Sequence, residues 1–71
     1  MDKFIQELIL TQYKWDLYDG EMASKIGCTR QWYLAIRRGK AQPSVKFMNK
    51  VTKAFPAMSP CVREVIDAMF R

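Results

Sequence analysis

The sequence predicts an all-α fold, and three observations carry that expectation. Apolar residues recur three and four positions apart along most of the chain. Hydroxyl and carboxylate residues, glycines and prolines punctuate it at intervals that suit short helices. Apolar and polar residues nowhere alternate as a half-buried strand requires.

Five helices follow. The first is expected over Asp2–Lys14, where Phe4, Ile5, Leu8, Ile9 and Gln12 form a stripe and Leu17 follows as an apolar plug. Asp19 is expected to cap a second helix over Gly20–Ile26, with Glu21 suited to its first turn and Met22, Ala23 and Ile26 facing inward. Gly27 ends it, because glycine tolerates the left-handed conformation of a sharp turn. Thr29 caps a third helix over Arg30–Arg38, with Tyr33 and Ile36 inward and Gly39 as its stop. After the loop Lys40-Ala41-Gln42-Pro43, Ser44 caps a fourth over Val45–Ala54, which buries Val45, Met48, Val51 and Phe55. Ser59-Pro60 signals a fifth over Pro60–Phe70, with Val62, Val65, Ile66 and Met69 on one face. Tyr13, Trp15 and Tyr18 precede the second helix and are expected to serve core or interface, not base stacking, which single-strand binders place on a sheet or in a groove.

A chain of 71 residues is expected to be one domain, its stability thin or shared with a partner subunit. Twelve bases stand against seven acids, which favours polyanionic partners. Five acids lie within residues 1 to 21 (Asp2, Glu7, Asp16, Asp19, Glu21), and the other two are Glu64 and Asp67. From Met22 to Val62 there is none, while Lys25, Arg30, Arg37, Arg38, Lys40, Lys46, Lys50 and Lys53 all fall there.

Cys28 and Cys61, without any histidine, make neither a disulfide framework nor a four-ligand zinc site, so free thiols and no metal or cofactor are expected. No apolar run approaches the roughly 18 residues of a membrane span. The start, MDKFIQELIL, mixes acids with apolar residues and lacks a cleavage site, so it does not read as a secretion signal. The expected place of action is where the chain is made, the cytoplasm. With no Gly-rich phosphate loop, no Ser or Cys beside a base and no carboxylate pair in a candidate cleft, the chain is not expected to be an enzyme.

Two short helices joined at Ile26-Gly27-Cys28, with Gly27 four residues after Ala23 and Thr29 opening the next helix, have the layout of a helix-turn-helix. Such a unit lays one exposed helix into the DNA major groove. The run Leu17, Met22-Ala23, Gly27-Cys28-Thr29-Arg30-Gln31, Ile36, Gly39 and Pro43-Ser44 resembles the phage Cro/repressor-type, XRE-like, helix-turn-helix family. Residues 2 to 55 can be laid along that family's first four helices, and the fifth helix falls in its variable C-terminal helix. The resemblance implies a lambda-repressor-like five-helix bundle and a transcriptional regulator acting as a homodimer on a near-palindromic operator. Three departures stand out. The family often has an acid where Arg37 stands, paired with a base on the first helix. Gln12 occupies that region instead, so the pair is expected to be absent and Arg37 free for a phosphate or Glu7. Asp19 replaces a phosphate-binding glutamine, and Tyr33 replaces a β-branched aliphatic.

A groove-bound helix offers its outward N-terminal positions to base edges. Those are Arg30, Gln31, Leu34 and Ala35. Arg30 suits guanine, Gln31 adenine and Ala35 a thymine methyl. Thr29, Trp32, Arg37, Arg38, Lys40, Gln42 and Lys46 are the candidates for the sugar-phosphate backbone, although Trp32 reads first as core or edge packing. Lys50 and Lys53, further from the motif, read as solubilising charges. Val62, Val65, Ile66, Met69 and Phe70 are the candidate dimer contacts, which would set two recognition helices roughly one DNA turn apart. The alternative is a small modulator of phage or mobile-element type, docking on a partner repressor through Trp32, Leu34 and Ala35.

Overall fold

A computed structural model describes residues 2–70. Five helices run in the order α1 (Asp2–Lys14), α2 (Asp19–Ile26), α3 (Arg30–Arg37), α4 (Val45–Ala54) and α5 (Ser59–Met69), with a 3₁₀ turn over Pro56–Met58 leading into α5. No strand occurs among the described residues. Among the described residues no helix is long and apolar enough to cross a membrane.

The core is a single cluster to which every helix contributes. Phe4 and Leu8 come from α1, Met22, Ala23 and Ile26 from α2, and Tyr33 and Ile36 from α3. Phe47, Met48 and Val51 from α4, Phe55 and Met58 from the turn, and Val62 from α5 complete it. Phe47 and Phe4 meet edge-on, their ring centroids 6.3 Å apart, which locks α4 onto α1. Inward positions three and four apart account for most of these residues. Phe47 and Met58 enter the core beyond the sequence expectation, and Val45 gives way to Phe47, being only half-buried. One other expectation fails: Ile9 is exposed and does not extend the α1 stripe. Tyr13, Trp15 and Tyr18, expected in core or interface, are exposed and so not in the core. The reason is rotational: Phe4 and Leu8 fix the buried side of α1, and Ile9 and Tyr13 fall well away from it.

The helix ends are closed by backbone geometry. At the end of α1, Asp16 adopts a left-handed conformation (φ 54°). Its N–H bonds to Tyr13 C=O, and Leu17 N–H bonds to Gln12 C=O. This is a Schellman closure with Leu17 as its apolar seal, packed against the core. Gly39 closes α3 the same way, with Gly39 N–H to Ile36 C=O and Lys40 N–H to Ala35 C=O. At Gly27 (φ 93°), Gly27 and Cys28 N–H both reach Ala23 C=O, turning the chain from α2 to α3. Thr29 and Ser44 cap α3 and α4 as expected, their hydroxyls accepting from Trp32 and Phe47 N–H at 3.1 Å each. Asp19 does not cap α2. Tyr18 occupies the cap position, its N–H donating to Glu21 Oε1 at 2.9 Å. Ser59 does not cap α5 either, because the 3₁₀ turn runs into the helix and leaves Ser59 already helical (φ −53°, ψ −47°).

The left-handed corners give opposite mutational signs. Asp16→Gly removes a left-handed penalty of about 1 kcal/mol while loosening the unfolded chain, so it is expected to raise stability by a few tenths of a kcal/mol. Gly27→Ala is expected to lower stability by about 1 kcal/mol. A Cβ there would meet nothing within 4 Å, so the loss comes from backbone conformation alone. Urea denaturation of both variants checks the pair.

Candidate nucleic-acid interface

The α2–turn–α3 unit is joined to α1 by a polar network centred on Gln12. Gln12, on α1, uses its whole hydrogen-bonding capacity. Its Nε2 donates to Asp19 Oδ1 at 2.8 Å and to Leu17 C=O at 3.0 Å. Its Oε1 accepts from Tyr33 Oη–H at 2.5 Å and from Arg37 Nη1 at 2.9 Å. Arg37 Nη1 also bonds to Asp19 Oδ1 at 2.5 Å, and the guanidinium lies 5.7 Å from the Tyr33 ring centroid. One glutamine thus joins α1, the start of α2 and two successive turns of α3. No buried side-chain nitrogen or oxygen is left without a partner among the described residues.

This overturns the expectation for Arg37. Arg37 of α3 pairs with Asp19 at the start of α2, and Gln12 of α1 bonds to both. Arg37 is therefore turned inward and not free for a phosphate or for Glu7. Asp19, expected as a cap, is the acid of this pair. The Gln12 hydrogen bond, aided by Arg37 and by the charge of Arg30, holds its carboxyl below the ordinary value of 3.8 despite partial burial. Tyr33 is buried and sends its hydroxyl to Gln12. Burial pushes that phenol up to about 12.

With Tyr33 and Ile36 buried and Arg37 engaged, the outward side of α3 is defined. Gln31 and Arg38 are exposed on it, Ala35 is half-buried, and Leu34 leans partly into the core. Arg30 stands to one side, near enough to α2 that its Cδ is 3.8 Å from where a Cβ on Gly20 would lie. Trp32 stands on the other side, more than half covered but not core. Beyond the C-terminus of α3, Lys40, Gln42 and Lys46 are exposed. Thr29 is exposed as well, and while its oxygen accepts the capping bond its hydroxyl proton remains available. Lys50 is more than a solubilising charge: its Nζ reaches Gly27 C=O at 3.4 Å, tying α4 to the α2–α3 turn.

Cys28 is half-buried and Cys61 buried; both are free thiols, with burial raising each above its ordinary value. No group of three or more His, Cys, Asp or Glu side chains that could hold a metal comes together among the described residues. Among the candidate dimer contacts, Val62 belongs to the core and Val65 and Ile66 pack against it, leaving Met69 and Phe70 exposed. Lys3 and Glu64 pair across α1 and α5 at 2.5 Å, but both are well exposed, where such pairs add little. Comparison with protein-family models, with curated proteins and with solved structures finds no match.

The joint predicts a graded mutational series. Tyr33→Phe removes one hydrogen bond and is expected to cost about 1 kcal/mol, whereas Gln12→Leu strands the tyrosine hydroxyl and the Leu17 carbonyl and is expected to cost about 2–3 kcal/mol. Acid sensitivity gives an independent check. Because the folded-state value of Asp19 lies below its unfolded value, its contribution is complete above the ordinary carboxylate value and lost as pH falls through the folded one. Denaturation midpoints measured below pH ~4 should fall less steeply for Asp19→Asn than for the wild type.

Proposed function

We propose that this chain is a sequence-specific double-stranded DNA-binding regulator of Cro/repressor type. In this reading α2 and α3 are a helix-turn-helix in a lambda-repressor-like bundle, and a dimer blocks or adjusts transcription at a near-palindromic operator. The observation that carries the reading is the division of α3. Its inward residues are committed to the core and to Gln12, while the opposite side presents Gln31 and Arg38 amid exposed bases, in a stretch without a single acid from Met22 to Val62.

In this reading the candidates divide by role. Gln31 and Ala35 face outward for base edges, with Gln31 able to donate and accept at adenine. Arg30, on the α2 side, is placed for a groove wall or a base at the edge of the site. Leu34 contributes as an apolar shoulder, and Trp32 as a wedge against the sugar-phosphate strand on the other side. Thr29, Arg38, Lys40, Gln42 and Lys46 grip the backbone, and Arg37 is withdrawn from that set because it is engaged with Asp19.

Selection of duplexes from a random-sequence pool, followed by anisotropy titration, tests the reading. The wild type is expected to enrich a two-fold-related motif, and Gln31→Ala to lose roughly 1–3 kcal/mol of discrimination at one base pair per half-site. Lys46→Ala should weaken binding to all duplexes alike and reduce the salt slope by about 0.9 for each phosphate it leaves unneutralised. Equal, weak binding to every duplex would overturn the operator reading and favour the modulator alternative, in which Trp32, Leu34 and Ala35 dock on a partner repressor.

A further inference from the structure

We infer that the outward side of α4 is a phosphate-binding column for duplex DNA, in which Lys46, Lys50 and Lys53 follow one strand of the backbone beyond the part that α3 reads. The inference rests on DNA being the partner, as proposed above, and not on the operator.

Lys46, Lys50 and Lys53 stand at i, i+4 and i+7, so they form one column along α4. Phe47, Met48 and Val51 turn the opposite side into the core. Lys46 and Lys53 are exposed, and neither has a hydrogen bond or ion pair among the described residues. Lys50 is half-buried. Its Nζ gives one donor to the Gly27 carbonyl at 3.4 Å and keeps two for another acceptor. That bond fixes where the column lies. Its middle is beside the turn that opens α3, two residues before Thr29. Its start follows the exposed Lys40 and Gln42 along the chain. The column therefore extends the set of exposed bases already assigned to the backbone.

Helix stability does not account for it. Like charges three and four residues apart oppose a helix, and a base in the first turn opposes its dipole. α4 has both, with no acid in its first turn. Elsewhere acids accompany the bases: Lys3 pairs with Glu64, Arg37 with Asp19, and α5 sets Arg63 beside Glu64 and Asp67. A polyanion relieves the repulsion along α4. Two features select a duplex. The column spans about 10.5 Å at 1.5 Å per residue. One strand of B-DNA carries about three phosphates over that length, at about 3.4 Å each. An anionic membrane would need apolar residues beside the lysines, and those of α4 are in the core, leaving the exposed Asn49 as neighbour.

Anisotropy titrations of the full chain at about 50 and about 200 mM salt, on a selected duplex and a scrambled one, test the column. Lys53→Gln is expected to lower the salt slope by about 0.9 on both duplexes, and Lys50→Gln/Lys53→Gln by about 1.8. Across that salt range the wild type should lose roughly threefold more affinity than Lys53→Gln. Preference for the selected duplex and far-UV circular dichroism should stay unchanged, and Lys53→Arg should keep the wild-type slope. Lys14→Gln makes the same change in net charge on α1 and should leave the slope intact. A slope lowered no more by Lys53→Gln than by Lys14→Gln would overturn the proposal. So would binding to phosphatidylserine vesicles that Lys53→Gln abolishes while the duplex slope stays put. Equal binding to both duplexes, with a slope that Lys53→Gln lowers, would overturn the operator reading alone and support the column. No binding to either duplex at the lower salt would overturn both.

Discussion

Gln12 is the residue on which the arrangement of this protein depends. A small helical core of interchangeable apolar side chains specifies volume better than direction. Hydrogen bonds specify direction, and here one side chain makes four of them, to the α1–α2 link, the start of α2 and two turns of α3. A partly buried polar network is costly unless every member is satisfied. Gln12, Tyr33, Arg37 and Asp19 meet that condition, since every buried side-chain polar atom described has a partner. The rotation of α3 about its own axis follows. Tyr33 must point at Gln12 and Arg37 at Asp19, so Gln31 and Arg38 must point away.

The same joint shapes the charge of the outward surface. Asp19 neutralises the one arginine of α3 that faces inward. What remains outward on and after α3 is basic or neutral. Lys50, bound to the Gly27 carbonyl, fixes the turn from the other side. In the proposed DNA-binding reading such rigidity helps, because a helix already held at one rotation loses less freedom on binding.

Much of the fold was legible because it is written locally. Thr29 and Ser44 cap where hydroxyls before helical runs should, Gly27 and Gly39 close helices where left-handed residues are needed, and Met22, Ile26, Tyr33, Ile36, Met48 and Val51 enter the core at helical spacing. What escaped was set by tertiary placement. Gln12, Asp19 and Arg37 lie 7 to 25 residues apart in sequence, and nothing local announces that they meet. Asp19 carries the same cap signature whether it caps or bridges; here Tyr18 holds the cap position and its N–H donates to Glu21. Ser59 lost its capping role to a 3₁₀ turn that packs against α4, with Met58 buried in the core. The rotation of α1, decided by Phe4 and Leu8, turned Ile9 outward although its sequence spacing allowed either side. The site follows the same division: the exposed residues of α3 were readable from periodicity, but the inward engagement of Arg37 was not.

The most direct test of this account is a backbone and side-chain NMR titration of the chain with a DNA duplex it selects. The account predicts that the largest shifts fall on Thr29, Gln31, Trp32, Ala35 and Arg38, with a second group at Lys40, Gln42 and Lys46, while the side-chain amide of Gln12 stays hydrogen-bonded and nearly still. Shifts centred on α1 or α5, or a Gln12 amide that moves as α3 binds, would contradict the claim that an inward polar joint presents α3 as a fixed reading surface.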